Sequence, residues 1–212
     1  MSMKRRDFLM VAATGTASLP VLGRNHFWPG MKTMEADNIE HAVFDDRFAE
    51  ARIFGRTMHR MGYAVSSFHE DVTDLWYGYL DARWRKSAES IAGLTVKNCF
   101  FCLSQLAAGH GVYPKFWIEH VFTPGGGVFH EINGPATAVA KAGRMLEGEL
   151  DWAPVAARLL GSIDLEYTSA TVKQAVSAGT PGSGRQVAGE RDKILVSWVM
   201  TPTRQTRLSR QS

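Results

Sequence analysis

The chain has two cysteines in 212 residues, Cys99 and Cys102. So few thiols exclude a disulfide-stapled scaffold and a zinc site built from cysteine alone. No run of about eighteen apolar residues occurs, so no ordinary membrane-spanning helix is expected. There is no G-x-G-x-x-G after the first expected strand, no P-loop and no G-x-S-x-G elbow, so no cofactor announces itself. Charge of one sign is also missing from most of the chain. The formal net charge is +3, and Lys4, Arg5, Arg6 and Arg24 against Asp7 account for all of it. The remainder has no basic excess for a nucleic acid, and none is expected as a partner. Arg204, Arg207 and Arg210 read as a solvated tail over 201–212. No internal repeat is seen.

What is present begins at the N-terminus. "MSMKRRDFLMVAATGTASLPVLG" has a charged start, Lys4-Arg5-Arg6, followed by a modestly apolar stretch from Phe8 to Leu22. Such a segment reads as an address rather than a structural helix. Arg5-Arg6-Asp7-Phe8-Leu9 resembles the twin-arginine (Tat) export signal, whose pattern is R-R-x-F-L. It departs from that pattern at Met10, where a Lys is common, and no clean A-x-A site follows Pro20. The resemblance implies a signal peptide over 1–30, periplasmic localisation by the twin-arginine pathway, and membrane contact only through that peptide. Residues 31–39 read as a linker.

From residue 40 the pattern alternates. "EHAVFDD" (40–46), "YAVSSF" (63–68), "SIAGLT" (90–95) and "PKFWIEHVF" (114–122) read as strands. Between them, 47–62, 71–87 and 96–111 read as helices, the first with Phe48, Ala51, Phe54 and Met58 on one stripe and Gly62 as its stop. "TPGGG" (123–127) reads as a hairpin loop with "VFHEI" (128–132) returning. Helices follow over 136–150 and 151–163, then a small-residue stretch over 169–192 expected to be a flexible loop, then the apolar strand "KILVSWVM" (193–200). Strand–helix alternation with short links predicts an α/β fold. The expectation is a single domain over 40–200, a small Rossmann-like or flavodoxin-like three-layer sandwich. Its sheet would be mostly parallel, with a C-terminal hairpin and added helices. "LWYGYLDARWRKSAESIAGLT", "FFCLSQLA" and the D-x-R-F run Asp45-Asp46-Arg47-Phe48 resemble an uncharacterised group of twin-arginine-exported proteobacterial proteins over residues 40–120. The resemblance implies no reaction.

Three constellations could carry chemistry. In an open parallel sheet, ligands bind beyond the carboxyl ends of the strands. Those ends carry Asp45, Asp46 and Arg47, then His69, Glu70, Asp71 and Thr73, then Thr95, a polar rim able to hold a small molecule. Helix capping would select Asp45, Asp46, Asp71 and Thr95 equally well. Second, if Phe122 pairs with Val128, His120 faces His130 and Glu119 faces Glu131. Two facing imidazoles could share a metal given a third ligand, as in a metal-dependent hydrolase. Third, Cys99-x-x-Cys102 opens a helix, as thiol–disulfide oxidoreductases require. A helix capped by Asn98 would expose Cys99 to the helix dipole; one capped by Thr95, the favoured reading, would put it on a core stripe with Val96, Phe100, Leu103, Leu106 and Ala107. Trp76, Tyr77, Tyr79 and Trp84 read as packing. The favoured reading is an exported domain that binds a small ligand, or serves as accessory subunit to an exported redox enzyme. Its partner would be a small molecule or another exported protein.

Overall fold

In the computed structural model, residues 39–123, 126–165, 171–178 and 194–203 are described. The expected signal peptide, the linker up to residue 38, residues 179–192 of the expected loop and the tail from 204 lie outside them. Seven strands form one sheet in the order β2-β1-β3-β7-β4-β5-β6. The strands are β1 Ile39–Asp45, β2 Ala64–Phe68, β3 Ser90–Val96, β4 Val112–Phe122, β5 Val128–Pro135, β6 Thr171–Ala178 and β7 Ile194–Pro202.

The first half follows the crossover logic of the sequence. α1 (Ala49–Arg60) joins β1 to β2, and α2 (Thr73–Leu75), a π-helical turn (Trp76–Leu80) and α3 (Asp81–Lys86) join β2 to β3. Both β1–β2 and β1–β3 are parallel. The expectation of a mostly parallel sheet is corrected by the second half. The β3–β7, β7–β4, β4–β5 and β5–β6 pairings are all antiparallel. A tight loop can join only antiparallel neighbours, and the β4–β5 hairpin begins that run. β7 is not an edge addition: it lies between β3 and β4, buried from Leu195 to Pro202. A strand apolar on both faces needs cover on both, which only the middle of the sheet supplies.

Three expected boundaries also move. β1 begins at Ile39, inside the expected linker. β6 occupies Thr171–Ala178, inside the stretch expected as a flexible loop. Thr201 and Pro202 belong to β7 rather than to a tail.

Helices cover both faces. On one, α1, α5 (Ala136–Leu146) and α6 (Trp152–Gly161) bury Phe54, Met58, Leu146 and Leu160 against Ala42, Leu94, Ile118 and Val199. On the other, α2, the π-helical turn, α3 and α4 (Lys97–Ala108) bury Leu75, Trp76, Trp84 and Leu103 against Val43, Ile91, Val196 and Trp198. Alternation along β3 and β7 assigns each residue to one core or the other. α1 approaches β1 closely because Gly55 lies against Phe44, where a Cβ would come within 2.4 Å of the ring. Gly62, at φ +93°, ends that helix as its position predicts.

Candidate functional site: the strand-end rim

The parallel half decides where a crevice can form. β1 exits into α1 on one face, and β3 exits into α4 on the other. Neighbouring parallel strands whose exits diverge define a topological switch point, where α/β folds place ligands. Here it lies beyond Asp45 and Val96.

Asp45 ends β1 and is completely buried. Its carboxylate accepts two hydrogen bonds from the Arg47 guanidinium, Nε to Oδ1 at 2.9 Å and Nη2 to Oδ2 at 2.7 Å. The Arg47 backbone N–H adds a third at 3.3 Å. The bonded Asp45 raises the Arg47 pKa above its usual value. Arg47 is therefore a fixed, partly exposed cation whose remaining nitrogen, Nη1, is not used by Asp45. It lies 3.6 Å from Glu70 Oε1. Asp46 holds the exposed His69 ring, Oδ1 to Nδ1 at 2.7 Å, while its backbone N–H donates to Phe68 O. Glu70 has φ +67°, which for a residue with a Cβ costs about 1 kcal/mol. Cys99 Sγ donates to Glu70 O at 3.5 Å, so the β2 exit loop reaches across to the first turn of α4.

Asp45, Asp46, Arg47, His69 and Glu70 thus meet at one rim. Capping does not explain the first two. The N-cap position of α1 is Phe48 and no side chain caps it. Asp71 does serve its own turn: its carboxylate accepts from the Thr73 N–H at 2.9 Å and the Thr73 hydroxyl at 2.6 Å. Thr95 is corrected outright. It stays within β3, fully buried, donates to Val96 O and accepts from Trp198 Nε1. It anchors the core through Trp198.

The helix-start question resolves to neither expected residue. α4 begins at Lys97 with Val96 at its N-cap position. Cys99 is the third residue of α4, within its first turn, and is buried beside Leu103 and Ala107, while Cys102 is exposed. Burial and the Asp45 carboxylate push the Cys99 thiol up to about 11, opposite to the depression a redox nucleophile needs. Alkylation of the folded protein at pH 8 with iodoacetamide is expected to label Cys102 readily and Cys99 only on unfolding. Faster labelling of Cys99, read by peptide mass mapping, would reverse this assignment.

The hairpin pairs in the expected register: Phe122 opposite Val128, His120 opposite His130, Glu119 opposite Glu131. The facing carboxylates are relieved by Lys97, 2.7 Å from Glu119, and Lys173, 2.6 Å from Glu131. The two imidazoles are fully buried, with Nδ1 atoms 2.8 Å apart. At that distance one Nδ1–H donates to the other nitrogen; two metal-bound nitrogens at about 2.0–2.1 Å from a tetrahedral zinc would stand farther apart. His120 Nε2 meets Ser197 Oγ at 2.9 Å, and its ring stacks on Trp152 at 3.8 Å. His130 Nε2 has no hydrogen-bond partner. Among the described residues no third His, Cys, Asp or Glu completes a metal set. This face therefore holds a buried polar chain, Ser197–His120–His130, closed over by α6.

Sequence reasoning missed Ser197, because its strand's place in the sheet was not visible. It also missed the buried His41 and the partly buried His110. His41 lies between Ser66 and Tyr79, and His110 bonds Asp81 at 3.2 Å between Trp76 and Trp84. The π-helical turn places Trp76 and Trp84 edge to face around that ring.

No family model, curated protein or solved structure matches the chain. The reading of this domain therefore rests on its own residues.

Proposed function

We propose that this chain is an exported, flavodoxin-like α/β domain that binds a small polar ligand at the β1/β3 switch point. The observation that carries this reading is the buried Asp45 carboxylate, which fixes Arg47 at the mouth of the crevice. A buried charge is costly unless it is paired and hydrogen-bonded. Spending one to orient a partly exposed guanidinium at a strand end is the economy of a binding site. The β2-β1-β3 order of the parallel half supports the comparison with doubly wound folds. The Arg5-Arg6-Asp7-Phe8-Leu9 run supports export to the periplasm.

The Asp46–His69 pair gives the rim a second recognition element. A ring held through Nδ1 presents Nε2 outward to donate to or accept from a ligand. Strain at Glu70 is the kind of backbone outlier that clusters at such sites. No bond-breaking step is assigned: Cys99 is buried with its thiol pKa pushed up to about 11, and His120 and His130 are fully buried.

The test is a ligand screen on the full chain spanning organic acids, amines, sugars and nucleosides. Thermal shift is read first, then amide resonances of Asp46, Arg47, Glu70 and Cys99. At least one class is expected to raise the melting temperature and to move those resonances. Arg47→Lys, which keeps a cation for Asp45, should abolish the effect, and Cys102→Ser should leave it intact. If no class moves the rim resonances, the reading fails.

A further inference from the structure

Arg47 and Glu70 raise a question that the fold alone does not answer. The Nε/Nη2 edge of the guanidinium is committed to Asp45, which is 0% exposed. The remaining Nη1 faces a carboxylate that is 76% exposed and 3.6 Å away. That separation is beyond a hydrogen bond and leaves Nη1 only loosely occupied. Yet the chain accepts a left-handed backbone at Glu70, the only residue other than glycine with positive φ among the described residues. The contact is thus weak, solvated and carried on a strained residue. A structural ion pair would be expected to have the opposite properties.

We propose that the Glu70 carboxylate is an internal stand-in for the ligand, and that the rim binds a small carboxylate which displaces Glu70 from Arg47. This rests on the binding reading above and names its ligand class. The planar guanidinium presents N–H groups that suit a carboxylate, the group already found against it. The buried Asp45 holds the cation at fixed angle, so the incoming anion does not have to order it. The body of the ligand would lie toward His69, whose ring Asp46 orients. Glu70 then acts as an internal competitor and tunes affinity downward. Phosphate would compete for the same cation; the neighbouring cations are already engaged, Arg52 Nη1 donating to Asp46 O at 2.6 Å and Lys97 bonded to Glu119.

The experiment titrates the full chain with acetate, benzoate and inorganic phosphate at constant ionic strength. The Arg47 side-chain Nε–H resonance and the backbone amides of Asp46 and Glu70 are followed. Both carboxylates are expected to move these signals. Glu70→Gln, an exposed substitution that leaves the fold alone, should tighten carboxylate binding by about threefold to tenfold. Arg47→Lys should abolish it. Equal affinity in the wild type and Glu70→Gln overturns the stand-in role. Tighter binding of phosphate than of either carboxylate overturns the ligand class. If an amine, sugar or nucleoside moves the rim while no carboxylate does, this inference falls and the binding reading survives. If no compound of any class moves the rim, both fall.

Discussion

Acidification from pH 7 to about pH 4.5 is expected to remove several kcal/mol of stability, before most carboxylates titrate. The cause is the His120–His130 pair. Burial lowers the His130 pKa to about 4 from 6.5, and burial together with His130 lowers that of His120 well below 6.5. The unfolded chain protonates its histidines near 6.5, and the folded pair resists. Between those values the unfolded state holds more protons, so stability is fully present above pH 6.5 and falls as pH drops through the window. The His130 shift alone corresponds to about 3 kcal/mol once pH reaches 4. His41, lowered by burial and by Arg83, acts in the same direction. Physically, a second proton would set two N–H groups against each other at 2.8 Å, under Trp152.

The charged side chains of the covering helices do not offset this. Arg144 and Glu147 near the end of α5, with Asp151 and Arg158 on α6, are all exposed. Urea unfolding at pH 7, 6, 5 and 4.5 reads the effect, and His130→Leu should reduce the slope by about one proton. The exposed Asp71 and the partly buried Asp81, whose pKa values are lowered, contribute only below the window. A flat profile between pH 6.5 and 4.5 would show that the pair is not a buried neutral one.

The second large effect is expected at Trp198. Trp198→Ala should cost about 3–5 kcal/mol, the range for deleting a large buried aromatic. The indole is fully buried on β7, donates to Thr95 Oγ1 at 3.2 Å, and packs beside Phe100. Its neighbour across the ladder is Gly93, where a Cβ would come within 2.3 Å of the ring. The glycine is required by the close approach of that ring, not by a turn. Gly93→Ala is therefore expected to be destabilising on its own by about 1–3 kcal/mol. In a Trp198→Ala background it should cost much less, a non-additivity of about 1 kcal/mol or more in denaturant midpoints. Additive costs would mean that the two residues do not share one packing site. Loss of Trp198 also leaves Thr95 without its donor, which loosens the end of β3 beneath the rim.

The elements the sequence predicted well share one property: their partners are near in the chain. The β4–β5 hairpin is the clearest case. Its glycine-rich loop is short, so loop geometry and alternation set the register and bring His120 opposite His130. The rim was legible for a related reason. Asp45, Arg47 and Glu70 sit where β1 and β2 end, and short crossover links put those ends on one side of the sheet. α1 and its Gly62 stop followed from helical spacing alone.

What was not legible depended on chain-distant packing. "ILVSWVM" declares a buried strand, but nothing local says that it slots between β3 and β4, and that slot makes the sheet mixed. Ser197 joins the histidine pair only because of it. β6 reads as loop because its strand state comes from pairing with β5 rather than from propensity. Thr95 looked like a cap in sequence and is a core anchor in space, since Trp198 reaches it from 103 residues away. The sequence by itself therefore determined the local pieces, the hairpin register and the polar residues at the ends of β1 and β2. The tertiary structure alone decided which of those residues are buried, and so which charges are fixed and which thiols and imidazoles are silenced. Desolvation is set by whatever packs overhead, and for these residues that cover comes from distant parts of the chain.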